Sequence, residues 1–179
     1  MARRNLYGCL AVLAVVAAIA VGLPSIDRLL PGGREIPAGH HIPVGRGVTI
    51  TAVDGTVLDL ARTAPALNRV VLSVHGVRVV VEASRYSGSL ADLSARLRRK
   101  IQTNPGYEAS QHDHPTRTAS GVPGLQGSYT TPGRIGMYAV FIDDDTGAEV
   151  SMAGAQTDLR SNNEALLHLT ASIQFGTTP

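Results

Sequence analysis

The chain has 179 residues with 16 basic and 14 acidic side chains, a formal net charge of +2, no tryptophan and a single cysteine. The two surplus cations are Arg3 and Arg4, so residues 25–179 balance 14 cations against 14 anions, which argues against a nucleic-acid footprint. Cys9 alone builds no disulfide framework, so stability must come from an apolar core, which the 155 residues after Pro24 can supply as one domain.

The opening "MARRNLYGCLAVLAVVAAIAVGLP" holds eighteen uncharged residues from Leu6 to Leu23. As a helix they extend about 27 Å, close to the hydrocarbon thickness of a bilayer and longer than the core of most secretory signals. Arg3 and Arg4 precede the run, which keeps that side cytoplasmic and sends the remainder across the membrane. The expected organisation is a cytoplasmic terminus at 1–5 and a transmembrane signal-anchor at 6–24, followed by an extracytoplasmic portion. Cleavage after the small-x-small triplet Ala18-Ile19-Ala20 would secrete the domain instead. Cys9 precedes the apolar run rather than following it, so it reads as a helix residue and not as a lipidation site.

Residues 25–47 carry repeated Pro and Gly and read as a linker, with the α+β domain at 48–176. "GVTITAVDGTVLDL" predicts two short strands around a turn at Asp54-Gly55. "RVVLSVHGVRVVVEA" is the strongest strand signal, read as a hairpin turning at His75-Gly76 or, alternatively, as one long strand bent at Gly76. "SLADLSARLRRKIQ" predicts an amphipathic helix: Ser89 and Asp92 have capping-box spacing, and Leu90, Leu93, Leu97 and Ile101 recur at helical intervals. Residues 107–133 read as turn-rich, and a second hairpin follows from 134 to about 155 around "DDDTG". "SNNEALLHLTASIQF" predicts a closing helix capped by Ser161 and Glu164, its stripe being Leu166, Leu169, Thr170 and Ile173. The order β-β-β-β-α-β-β-α implies an antiparallel sheet packed against helices.

Signals for chemistry are sparse. His112-Asp113-His114 has a spacing that suits two metal ligands on a strand, with His40, His41 or Asp145 as further donors, yet "QHDHPT" reads more simply as a solvated loop. Asp143, Asp144 and Asp145 lack the closing acidic ligand of a calcium loop, since position twelve is Gly154. No G-x-S-x-G, dinucleotide or Walker pattern is present, and Ser128 with His112 is a pairing that chance supplies. No cofactor and no catalytic residue are expected. Charge is more informative: residues 62–134 hold ten cations and four anions, while 135–179 hold Arg160 against six anions. Such a division suits an electrically polar domain with Arg96, Arg99 and Lys100 as a basic, partner-binding helix face.

From Arg69 to Phe175, "VHGVRVVVEA", the helix after it, "TASGVPGLQGSYTTPGRIGMYAVFIDDDTGAEVSMAG" and the terminal "LHLTASIQF" resemble the Mog1/PsbP-like domains of mycobacteria and related actinobacteria, of membrane-anchored or lipoprotein (LpqN) type. The resemblance spans about 107 residues. It implies a six- or seven-stranded antiparallel sheet flanked by helices, no shared catalytic residues, and a non-catalytic accessory role with protein partners. The resulting expectation is a membrane-tethered domain that binds another envelope protein or transport complex. A lipid or small-ligand binding domain is the alternative, and a hydrolase is a more distant one.

Overall fold

The computed structural model describes residues 32–176; the predicted signal-anchor at 6–24 lies outside them. Among the described residues, twelve strands and three α-helices follow one another as β1 (Gly33–Glu35), β2 (His41–Gly45), β3 (Val48–Thr51), β4 (Thr56–Asp59), β5 (Arg69–Val74), β6 (Val77–Arg85), α1 (Leu90–Gln102), β7 (Glu108–Ala109), β8 (His114–Arg117), β9 (Pro123–Thr131), β10 (Arg134–Asp143), β11 (Thr146–Gly154), α2 (Gln156–Ser161), α3 (Asn163–Ala171) and β12 (Gln174–Phe175). The main sheet is antiparallel with the order β1-β4-β5-β6-β11-β10-β9-β7, and β8 also pairs with β9, making nine strands. A smaller sheet has the order β12-β3-β2.

The central strands of the main sheet are covered on both faces, by the small sheet and the closing segment on one and by α1 on the other. On one face Val79, Val81, Phe141, Val150 and Met152 meet Ile42, Val44 and Ile50 of the small sheet and Leu159, Leu166, Leu169 and Ile173 of the closing segment. On the other face Tyr129, Tyr138 and Val140 receive Leu93, Leu97 and Ile101 of α1. The helix forms as its sequence predicts, with the Ser89 hydroxyl accepting from the Asp92 backbone N–H at 3.2 Å. The β5–β6 hairpin also forms as read: His75 and Gly76 hold φ of 45° and 83°, the left-handed pair that a two-residue turn needs.

Four expectations are corrected. The 25–47 segment is not all linker, because β1 and β2 lie within it and Ile36, Ile42 and Val44 enter the core; its Gly-Arg-Gly stretch is the tight turn joining β2 to β3. Asp54-Gly55 is a turn but not a hairpin, since β3 pairs with β2 and β12 while β4 pairs with β1 and β5. The closing helix is broken into α2 and α3: Ser161 ends the first, and Asn162, not Ser161, precedes the second. The implied six or seven strands become nine in the main sheet, largely because the short edge strands and β9 lie in sequence that reads as turns.

The turn-like look of β9 has a specific cause. Glycine within a strand normally signals a break, but here each glycine faces an aromatic ring in the pairing register: Gly124 with Phe141, Gly127 with Tyr138, and Gly136 with Tyr129. A Cβ added at Gly127 would overlap the Tyr138 hydroxyl oxygen, and one at Gly136 would overlap the Tyr129 ring. The glycines are seats for rings. Gly127→Ala is therefore expected to lower stability by about 1–3 kcal/mol through overpacking against a fixed ring, read as a lower urea midpoint at unchanged slope. An unchanged midpoint refutes the close packing.

Candidate functional site: a charged cleft under the first helix

Register brings two carboxylates together beneath α1. Glu82 of β6 and Glu149 of β11 stand directly opposite each other across the strands, a like-charge pair that costs stability unless cations intervene. Three do. Arg69 of β5, itself opposite Glu82, places Nε 3.3 Å from Glu82 Oε1. Lys100 pairs with Glu82 and lies 3.5 Å from Glu149 Oε2. Arg96, one turn earlier, donates from Nε to Glu149 Oε1 at 3.0 Å and from a terminal nitrogen to Ser84 Oγ at 3.0 Å, with its guanidinium 4.7 Å from the Tyr86 ring centre. Glu149 is only 8% exposed, so these donors replace the water it has lost.

At the C-terminal half of α1 a cleft of about 170 Å³ opens, lined by Arg69, Glu82, Lys100 and Glu149 of this network together with Leu97, Ile101, Asn104, Tyr107 and Tyr129. Tyr107 and Tyr129 stack with ring centres 6.3 Å apart. Burial, reinforced by Tyr107, pushes the Tyr129 phenol up to about 12, so it stays a neutral wall at physiological pH. The volume is below the roughly 300–1,000 Å³ of a typical small-molecule site, and far from a tunnel for an acyl chain.

A second polar cluster fixes the far side of the helix. Between β7 and β8 the edge strand leaves β9, and Asp113 turns inward from that excursion. Its carboxylate accepts from Ser94 at 2.6 Å and from the Tyr138 hydroxyl at 2.5 Å, with Arg98 at 3.6 Å. Burial first, then the bond to Asp113, raises the Tyr138 phenol to about 12. The sequence pattern draws the eye to the two histidines around Asp113, which the structure leaves exposed on either side of it. Serine opposite an inward-turning acid would have been the only signal for the aspartate itself.

The three basic residues singled out on α1 are thus brought to different tasks. Arg96 and Lys100 face the sheet and neutralise its carboxylates, whereas Arg99 is exposed and has no ion pair among the described residues. The division of charge along the chain does not become a division of the surface, because Arg96–Glu149, Lys100–Glu149 and Arg85–Asp145 tie its basic part to its acidic part. No group of three or more His, Cys, Asp or Glu side chains with metal-site geometry occurs among the described residues, and His112, His114 and Asp145 are not brought together. Asp143, Asp144 and Asp145 instead flank a polar hollow shared with Arg46.

No protein-family model matches the chain, and no curated protein matches it in sequence. Solved structures do match in shape. The cyanobacterial PsbP protein (CyanoP) of Synechocystis superposes with a TM-score of 0.57 at 13% identity, covering 81% of this chain and 96% of that one. The Ran-binding protein Mog1p of Saccharomyces cerevisiae superposes with a TM-score of 0.50 at 10% identity, covering 79% and 96%. The domain has the Mog1/PsbP-like fold.

Two measurements test the site. Arg96→Ala strips Glu149 of its principal donor, and stability is expected to fall by about 1–3 kcal/mol at neutral pH, whereas Arg99→Ala stays within about 0.5 kcal/mol. Equal effects would show that the network holds nothing. The alkaline limb reports Tyr129 and Tyr138 together: an unfolded phenol ionises at about 10, whereas each of these holds its proton to about 12 in the folded state. The folded state then carries the extra protons, so stability falls as pH rises through that window. Tyr138→Phe is expected to make that fall shallower, and an unchanged slope contradicts the burial of this hydroxyl.

Proposed function

We propose that the chain is a membrane-tethered, non-catalytic accessory domain of the actinobacterial Mog1/PsbP-like type, held on the extracytoplasmic side by Leu6–Leu23 and binding another envelope protein. The observation that carries this reading is the state of the charged groups beneath α1. Acid–base or nucleophilic chemistry needs a titratable group left poised for a substrate, whereas both carboxylates here, Glu82 and Glu149, are held by Arg69, Lys100 and Arg96; the surplus is one positive charge, and Arg69 Nε is buried without a hydrogen bond. Among the described residues the hydroxyl bonded to a histidine ring is that of Thr51, 3.1 Å from His41 Nδ1 in an exposed pair; Ser94 is bonded to an aspartate instead. That the yeast neighbour is a Ran-binding protein supports protein recognition as a use of this fold. The small cleft gives the lipid-carrier reading no corresponding support.

The partner surface in this reading is the outer face of α1 around Arg99, continuing over Asn104 and Tyr107 at the cleft mouth. A photo-crosslinking residue placed at Arg99 or Asn104 of the intact chain is expected to capture one discrete membrane protein in living cells, and capture from Asn104 should fall in Arg99→Glu. A probe at Arg160, exposed on α2 across the main sheet from α1, should capture nothing. Equal labelling from all three positions, or none from the α1 face, rejects this surface. Arg96→Glu is unsuited to this purpose because it would place a third carboxylate against Glu149 and Glu82.

A further inference from the structure

The connection from β4 to β5 carries the most exposed leucines of the described domain: Leu60 is 52% and Leu67 73% exposed. Ala61, Pro65 and Ala66 beside them are not buried either. Single exposed leucines are ordinary, but these two share a connection that is built to hold them outward. The Asp59 carboxylate accepts from the Arg62 backbone at 3.0 Å and from its guanidinium at 2.9 Å. The Arg62 guanidinium draws the Asp59 pKa below its ordinary value. Thr63 exchanges hydrogen bonds with the Val71 backbone, Ala64 bridges to Arg69, and a 3₁₀ turn at Pro65–Leu67 ends in Asn68 at φ 51°. The loop is braced at both ends, with its leucines left in the open.

Its position gives the exposure a meaning. β1 pairs with β4 so that Gly33 stands opposite Asp59, the residue before Leu60. The first 32 residues therefore join the domain beside this loop. Nine residues, 24–32, separate Leu23 from Gly33, a reach of at most about 35 Å even when fully extended. We infer that the Leu60–Leu67 loop is a membrane-contact surface, its leucines entering the interfacial layer of the phospholipid bilayer that holds the Leu6–Leu23 segment. Arg34, exposed on β1 opposite Leu58, lies at the same edge as the cation for lipid phosphates, whereas Arg62 stays on Asp59 as the brace of the loop. Tether and loop then form two points of attachment to the same bilayer. The inference rests on the proposal that Leu6–Leu23 spans the bilayer.

The chain contains no tryptophan, so one introduced indole reports alone. The full-length Leu67→Trp protein is reconstituted into vesicles of phosphatidylcholine and phosphatidylglycerol, with Arg134→Trp, at the opposite end of the sheet, as the comparison. Expected is a blue-shifted emission from the indole at position 67 that loses most of its intensity to a lipid carrying a quencher near the headgroup, while the indole at position 134 emits as in water. Alkaline extraction of the same vesicles reads the tether separately. A Leu67→Trp chain that resists extraction but whose emission is unquenched overturns the loop contact and leaves the span intact; a chain that is extracted overturns both. An emission that is blue-shifted but insensitive to the lipid quencher reports an indole covered by protein, which also overturns the proposal.

Discussion

Two glutamates face each other in the middle of the main sheet, and the elements around them are arranged to accommodate the pair. Glu82 and Glu149 are fixed opposite one another by the β6–β11 register, and a one-residue slip of either strand would carry its glutamate into the apolar layer on the other face. Their repulsion is removed by cations from two elements, Arg69 in the neighbouring strand and Arg96 with Lys100 on α1. The apolar stripe Leu93, Leu97, Ile101 brings the helix to the sheet, but a stripe tolerates sliding. The ion pairs do not. The position of α1 along the sheet, and with it the cleft at its C-terminal end, follows from charges that had to be paired.

The aromatic residues serve a related purpose in the sheet. The chain has two phenylalanines, five tyrosines and no tryptophan, a small allotment of large rings. Three of those rings lie over strand glycines, so that thin backbone and wide side chain together fill the layer that paired large side chains would overfill. Tyr138 does this while passing its hydroxyl to Asp113, which in turn holds Ser94 of α1. Sheet, edge excursion and helix are thereby joined through one carboxylate. Such a body moves little when it meets a partner, and a rigid face loses less conformational entropy on binding than a mobile one.

The proposed role draws on both properties. In that proposal the carboxylates beneath α1 are held by cations, and the exposed Arg99 is the charge offered to a partner. The other end of the sheet offers a different character, with leucines held outward beside the point where the N-terminal segment enters. The described domain thus carries exposed leucines at the β4–β5 connection and a charged cluster beneath α1.

Local pattern carried much of this. Period-two valines marked β5 and β6, helical spacing with Ser89 marked α1, and both form as read because local preference and burial agree there. The β9 strand, the split between α2 and α3, and the separation of β3 from β4 were not legible, since each depends on a partner distant in sequence: a ring across the strand, a core that breaks a helix, a second sheet that claims one strand of an apparent hairpin. The charged site shows the same limit. The sequence alone determined that Arg96, Arg99 and Lys100 lie on one helix and that the domain is neutral overall. Only the tertiary structure decided that two of the three are consumed by Glu82 and Glu149, because the register that brings these distant residues into opposition is set by the packing of whole strands and not by any local run of side chains.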